Sequence, residues 1–447
     1  MIKRLHRSHR RVSWLLCTSV AAVTLWGVAR MAAQSGAGFG TTDTQSKPKH
    51  AKSGKAAPSH PAPKSSQPPS MTIPVDALGF TTPGSLYLGM RRSFASLDFL
   101  DENRLLFTFR VPGLMRREGT ERDETERQIR AVVLTLPSGV VQAEALWTVH
   151  DRARYLWMLK NGHFLLRDRD LVEEGDATLE LKPQLRFPGP LIWLELDPSQ
   201  KYLVTNSLEP AAASGQPADN ALSPRTAAAN MLVDGQKSEG LEDMVVRILR
   251  RSDGQVMLVS RTRSAVHLPI DTEGYVEDLR GTGGQWLVNL NYFNGGARIL
   301  GHVESSCSPA LDFVAERQLV ATACDRAGAS KLVALTSDGG KMWEHPSTPT
   351  EVWPILVRSP DGSRLARESL AVNHPVNAFS PLSSEDIRGQ IVEVLDAATG
   401  QVALTATASP VLDGGGNVAI SPSGQRVAVV ADGAIEVFEL PPAPPLP

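Results

Sequence analysis

From residue 94 onward the chain alternates short apolar runs with polar turns, and one hairpin design recurs seven times. The copies are SLDFLDENRLLFTF, YLWMLKNGHFLL, WLELDPSQKYLVTN, VEDLRGTGGQWLVNL, ALDFVAERQLVATA, ILVRSPDGSRLARE and VAISPSGQRVAVVA. Alternation with period two is the signature of half-buried strands, and no apolar pattern of helical period runs beyond about two turns. A second turn type ends in glycine at Gly139, Gly254, Gly340 and Gly400, as in LTLPSGVVQAE and LDAATGQVALT. Units that cannot bury their own faces must stack on copies of themselves, so the self-similarity predicts a repeat architecture.

Each unit supplies a first run such as Leu97 to Leu100 or Ala310 to Val314, a second such as Leu105 to Phe109, a third such as Val132 to Leu136, and a fourth after the glycine turn. Three or four short antiparallel strands per repeat match the blade of a β-propeller. The fold class expected is therefore all-β, a propeller of seven blades beginning near Phe94, Ala153, Pro190, Gly274, Ser308, Glu351 and Gly415. The second and fourth units lack a clear third-to-fourth turn, which widens the count to six to eight. The last unit ends at VFELPPAPPLP with no room for a fourth strand, and the segment Thr72 to Met90, strand-like in SLYLGM, is expected to supply it and close the ring. An open ring would leave two blade faces and their edges wet.

SPDGSRLA at Ser359 to Ala366 and SPSGQRVAVV at Ser421 to Val430 resemble the first hairpin of bacterial YVTN-type and WD-like propeller repeats. The turns DAATGQVA and RSDGQVML resemble the third-to-fourth strand turn of the same families, so the resemblance covers most of residues 90 to 440 and implies architecture alone. No Trp-Asp dipeptide closes a blade. LVALTSDGGKMWEH, through Gly340, Lys341 and Trp343, is similar to the repeat of pyrroloquinoline-quinone-type propellers, in one unit only.

Charge changes the picture at the N-terminus. Residues 1–70 carry 11 Lys or Arg and one acid, Asp43, leaving 35 basic and 47 acidic residues beyond. An acidic folded part disfavours a nucleic-acid partner, which needs clustered Lys and Arg. Lys3, Arg4, Arg7, Arg10 and Arg11 precede an uncharged stretch from Val12 to Ala29, so residues 1–34 read as a signal peptide, cut after Ala33, or as an N-terminal membrane anchor if uncleaved. Either way the domain is exported, to the periplasm or the cell exterior, and meets the membrane only through residues 12–29. Residues 35–70, rich in Pro, Ser, Ala and Lys, read as a disordered linker, and residues 71–447 as the propeller domain with a mobile insertion at 210–242. Arg116 to Gln128 reads as a solvated charged loop of the first unit.

Cys17 lies in the apolar stretch, which leaves Cys307 and Cys324 flanking the hairpin SPALDFVAERQLVATA. With the turn centred on Ala315 and Glu316 the two cysteines lie opposite each other, within reach of a disulfide, and an oxidising compartment favours the bond; buried free thiols are the competing reading. The catalytic signatures Gly-x-Ser-x-Gly, His-Glu-x-x-His, a phosphate-binding glycine loop and Cys-x-x-Cys are missing, and the histidines fall at no metal spacing. When the hairpins are superposed on their turns, Asp98, Glu195, Asp278 and Asp312 share one position of the first strand, the strand that lines a propeller's axial channel. Converging carboxylates would raise one another's pKa and attract a hard cation such as Ca²⁺; solvated acids that only keep the channel wet are the competing reading. Two functions are therefore expected. One is a non-enzymatic envelope scaffold that binds a protein or polymer partner without a cofactor. The other is a Ca²⁺-dependent hydrolase, as in lactonase-type propellers, or a quinone-type enzyme at the channel.

Overall fold

The computed structural model describes residues 65–82, 94–111, 126–150, 154–210, 242–262, 264–316, 318–325, 329–376, 382–412 and 414–446. The expected export segment, nearly all of the linker, SLYLGM and the body of the 210–242 insertion lie outside them. Among the described residues, twenty-seven strands form seven antiparallel sheets. Blade 1 holds β2 (Ala95–Asp101), β3 (Arg104–Arg110), β4 (Arg127–Thr135) and β5 (Val141–Val149); blade 2 holds β6 (Leu156–Met158), β7 (Phe164–Asp168), β8 (Leu171–Gly175) and β9 (Leu181–Arg186). Blade 3 holds β10 (Leu191–Leu196), β11 (Tyr202–Pro210), β12 (Glu242–Arg250) and β13 (Val256–Thr262), and blade 4 holds β14 (Gly274–Arg280), β15 (Gln285–Tyr292) and β16 (Ala297–Glu304). Blade 5 holds β17 (Ala310–Ala315), β18 (Gln318–Cys324), β19 (Ser330–Thr336) and β20 (Lys341–Pro346); blade 6 holds β21 (Glu351–Arg358), β22 (Arg364–Val372), β23 (Ile387–Asp396) and β24 (Val402–Ala408). Blade 7 joins β25 (Val418–Ile420), β26 (Arg426–Ala431) and β27 (Ala434–Glu439) to β1 (Met71–Pro74), so the molecule is a seven-bladed β-propeller.

Seven apolar clusters fill the seven seams between successive blades. Leu100, Ile129 and Trp147 of blade 1 meet Leu156 and Phe164 of blade 2, and Val276 and Val288 of blade 4 meet Leu311 and Phe313 of blade 5. The seam that makes the row a ring packs Ile73, Ile435 and Val437 of blade 7 against Leu97, Phe107 and Phe109 of blade 1. Closure comes from the chain's N-terminal side, as expected, but through MTIP: Met71 pairs with Val437 and Pro74 with Ala434. The extended residues ahead of it continue to blade 6, where Ser66 N–H donates to the Thr405 carbonyl at 2.8 Å. The glycine turns hold the blades close. A Cβ at Gly400 would stand 2.6 Å from the Trp343 ring, and Trp343 Nε1 donates to the Ala397 carbonyl at 2.7 Å, so the Trp343 motif seals the seam between blades 5 and 6.

Blade 4 corrects the unit boundary drawn from sequence. Its hairpin is HLPIDTEGYVE: Ile270 bridges Tyr275, Val276 N–H donates to the Pro269 carbonyl at 2.8 Å, and Asp271 N–H to the Gly274 carbonyl at 3.0 Å. The irregular segment Ser264–Ile270 thus takes the inner position, and β14 is the second strand. Pro269 removes a ladder donor and breaks the alternation that would mark the segment as a strand.

Cys307 and Cys324 form a disulfide with Cα atoms 5.5 Å apart. Its register differs from expectation. Asp312 pairs with Val320 and Ala315 with Gln318, with a bulge between Phe313 and Ala315, so the turn lies one residue later and Cys307 sits in the bend ahead of β17. The bond ties the lead-in of blade 5 to the end of β18, and in the chain-entropy model a loop of this size is worth about 3 kcal/mol. The double replacement Cys307→Ser with Cys324→Ser is expected to lower unfolding stability by about 3 kcal/mol, as urea unfolding would read.

Candidate functional site

Radial packing of seven sheets brings seven inner strands around one axis, and the side chains there carry alternating charge. Asp98, Glu195 and Asp312 occupy one level of blades 1, 3 and 5, opposite Leu106, Val204 and Val320 of the neighbouring strands. Asp278 does not join them. It stands on β14, the second strand, and accepts a hydrogen bond from Ser308 Oγ at 2.7 Å. His267, carried inward on the irregular segment of blade 4, takes the place expected for that fourth residue. Asn206 fixes this segment by donating to the Val266 carbonyl at 3.0 Å and accepting from its N–H at 2.7 Å.

Cations from blades 2, 4 and 6 interleave with the three acids. Arg154, just ahead of β6, acts electrostatically on Asp98 and Glu195. His267 Nδ1 lies 2.9 Å from Glu195 Oε2 and its Nε2 lies 3.4 Å from Asp312 Oδ1. Arg358 feels the charges of Glu195 and Asp312, and it donates through Nη2 to the Leu196 carbonyl at 2.9 Å and through Nη1 to the Phe313 carbonyl. One guanidinium therefore ties blades 3, 5 and 6 across the axis. Inner strands expose an edge of backbone carbonyls with no strand partner, and an arginine with five donors satisfies two of them.

Protonation follows from the partners. Burial pushes the Asp98 carboxyl up to about 6, against the lowering effect of its Ser96 hydrogen bond and the Arg154 charge. Its rise therefore comes from desolvation and not from mutual repulsion among carboxylates. Desolvation would lower the His267 imidazole, but the Glu195 charge, the hydrogen bonds to Asp312 and Glu195 and the Asp312 charge outweigh it and hold the group well above its ordinary value. Geometry agrees: Nε2 lies 2.7 Å from the Leu311 carbonyl, which can only accept, and Nδ1 faces a carboxylate, so both nitrogens carry hydrogen.

Glu195, His267 and Asp312 each place a ligand-type atom within 4.8 Å of the others. In this arrangement both ring nitrogens are engaged, by the Glu195 carboxylate and by the Leu311 carbonyl and Asp312, so a metal would have to displace protons and partners to reach the imidazole. Arg358 beside both acids opposes a cation further.

Sequence reasoning missed Trp353. It lies two residues into β21, at a bulge between Val352 and Ile355, is 38% exposed, and has φ of 52°. A bulky residue in the left-handed region is an outlier, and one that precedes a proline, here Pro354, is disfavoured twice. The position is at the axial mouth where inner strands begin. From that same end leave the second-to-third strand connections, which are long in three blades: residues 111–126, 211–241 and 373–386.

No protein-family model matches the sequence, and no curated protein matches it. Among solved structures, the WD40 domain of Toxoplasma gondii coronin is similar at 8% identity and TM-score 0.44, over 84% of this chain and 85% of that one. An acylaminoacyl peptidase of Pyrococcus horikoshii is similar at 9% identity and TM-score 0.44 over 79% of this chain, which spans about half, 52%, of that one. Sqt1 of Chaetomium thermophilum, bound to the N-terminus of ribosomal protein L10, is similar at 13% identity and TM-score 0.39, over 79% and 98% of the two chains.

Removing the charge that spans the axis should expose the ring's energetics. Arg358→Met is expected to cost on the order of 2–3 kcal/mol by chemical denaturation, below the 3–5 of a fully buried pair because the site is half-buried. The folded His267 imidazolium has a raised pKa, so its contribution is complete below pH 6.5 and is lost as pH rises through the folded value. The stability gap between wild type and His267→Gln is thus expected to be widest near pH 6 and to shrink toward alkaline pH; a gap that grows with pH would contradict the imidazolium.

Proposed function

We propose that the protein is a non-enzymatic binding scaffold, exported to the cell envelope, that engages a protein or envelope-polymer partner through the face carrying Trp353. The observation that carries this reading is Trp353 itself. Backbone strain of about 1–3 kcal/mol persists only where surroundings impose it, and such residues cluster at binding sites. Tryptophan is the side chain most enriched among residues that dominate interfaces. The axis supports the same reading from the other side. Among the described residues its carboxylates lie beside the cations Arg154, His267 and Arg358, which oppose a second cation such as the Ca²⁺ of a channel hydrolase.

A photoreactive amino acid at position 353 of the full-length chain, in its native cells, is expected to crosslink a discrete partner, whereas one at Asn161, exposed in a turn at the opposite end of the axis, is not. Capture from 161 and not from 353 would move the binding face. Trp353→Ala should weaken binding of the captured partner by at least about 30-fold, the effect of a dominant interface tryptophan. Calcium should leave the thermal midpoint unchanged; a rise abolished by Asp312→Asn would favour the metal-dependent enzyme instead.

A further inference from the structure

Second strands carry a recurrent polar residue facing the lead-in of the next blade. Thr108, two residues past Leu106, shares a 2.8 Å hydrogen bond with Tyr155. Asn206, two past Val204, clamps Val266 as described. Asp278, two past Val276, accepts from Ser308. In blade 6 the equivalent residue, two past Ala366, is Glu368, and it faces the lead-in of blade 7, where a Cβ on Gly415 would stand 3.3 Å from its Oε2.

Glu368 breaks the pattern. It is 1% exposed, and neither carboxyl oxygen has a hydrogen-bond partner. The bonds that hold this lead-in come from a neighbour: Gln390 donates to the Leu412 carbonyl, accepts from the Leu412 N–H, and accepts from Asn417. Charged groups on the surrounding strands are engaged elsewhere. On β22, Arg364 pairs with Asp396 and Arg367 with Glu351 and Glu393; on β21, Arg358 bonds carbonyls across the axis; on β26, Arg426 donates to the Glu102 carbonyl and lies near Glu439. Arg388 of β23 is exposed, and the described lead-in and β25 hold no charged side chain. The ladder neighbours of Glu368 are apolar, Ile355 on β21 and Val392 on β23.

We propose that Glu368 is a proton-operated latch on the seam between blades 6 and 7, closed while its carboxyl is neutral and loosened when it ionises. An unpaired charge buried between apolar sheets is strongly unfavourable, whereas a neutral carboxyl there is tolerated. The seam lies beside blade 7, the blade that carries the closing strand β1, so loosening it frees that blade from blade 6. Burial alone, with no neighbouring charge contributing, pushes this carboxyl up to about 8. The unfolded chain releases the proton near 4.5, so the folded seam loses stability as pH rises between those values and is flat above them.

Hydrogen exchange on the full chain from pH 6 to 8, corrected for intrinsic rates, tests this. Protection of the Val430 and Ser409 amides, which bond across the lead-in to Asn417 and from it to Val430, is expected to fall by up to about tenfold per pH unit, the limit for one proton. The Leu191 amide, bonded to the Arg169 carbonyl across the seam of blades 2 and 3, is expected to hold steady. Glu368→Gln, an isostere of the neutral acid, should abolish the fall. Equal slopes at both seams, no slope at Val430, or an unchanged slope in Glu368→Gln would overturn the latch. Should that variant not fold, the comparison of the two seams in the wild-type chain decides alone.

Discussion

Every blade here is a thin sheet that is apolar on both faces, and this constraint governs the rest of the structure. β3, with Leu105, Leu106, Phe107 and Phe109 all essentially inaccessible, sends alternate side chains into two different clusters, one toward blade 7 and one toward blade 2. Such a sheet has no face to give to water, so a row of them is satisfied only when the first meets the last. That explains why a four-residue strand, β1, carries weight beyond its length: Ile73 fills the seam of blades 7 and 1, and its backbone supplies the outer strand of blade 7.

Closing the ring creates the second problem, at the axis. Seven inner edges converge with unpaired carbonyls and with side chains that can neither be fully hydrated nor packed as a core. The chain resolves this with charges of alternating sign from blades 1 to 6, and with Arg358 bonding carbonyls of two other blades. A buried ion pair is weak evidence for stability, since apolar replacements are often as good. Its gain at this axis is geometric, because the pairs fix which blades face each other at the centre.

Much of the fold was readable from residues 94 to 440. The hairpins with clean alternation became β2 and β3, β10 and β11, β17 and β18, and β21 and β22, and the two-sided apolar runs became second strands. Blade 4 was misread because Pro269 and the Asp271 turn disguise its inner segment, while VEDLRGTGGQWLVNL mimics a first hairpin with strands two and three. The axial acids could be located from hairpin register, but their partners could not. Arg154 and His267 lie outside the aligned runs, on segments whose approach to the axis is decided by packing. Trp353 gave no signal either, since its left-handed backbone depends on a bulge that residue types do not announce.

Function then turns on where unresolved chemistry remains after folding is satisfied. At the axis little is left: each acid has a cation, and the histidine has spent both nitrogens. In a catalytic site the expectation is reversed, with groups held in place yet incompletely paired so that substrate completes them. At the mouth above, the structure spends backbone strain to hold an indole partly in solvent. A side chain that folding would bury, kept outward at a cost, is intelligible when something else covers it. Rigid framework at the centre and exposed anchor at the rim are the division of labour that the proposed binding role requires.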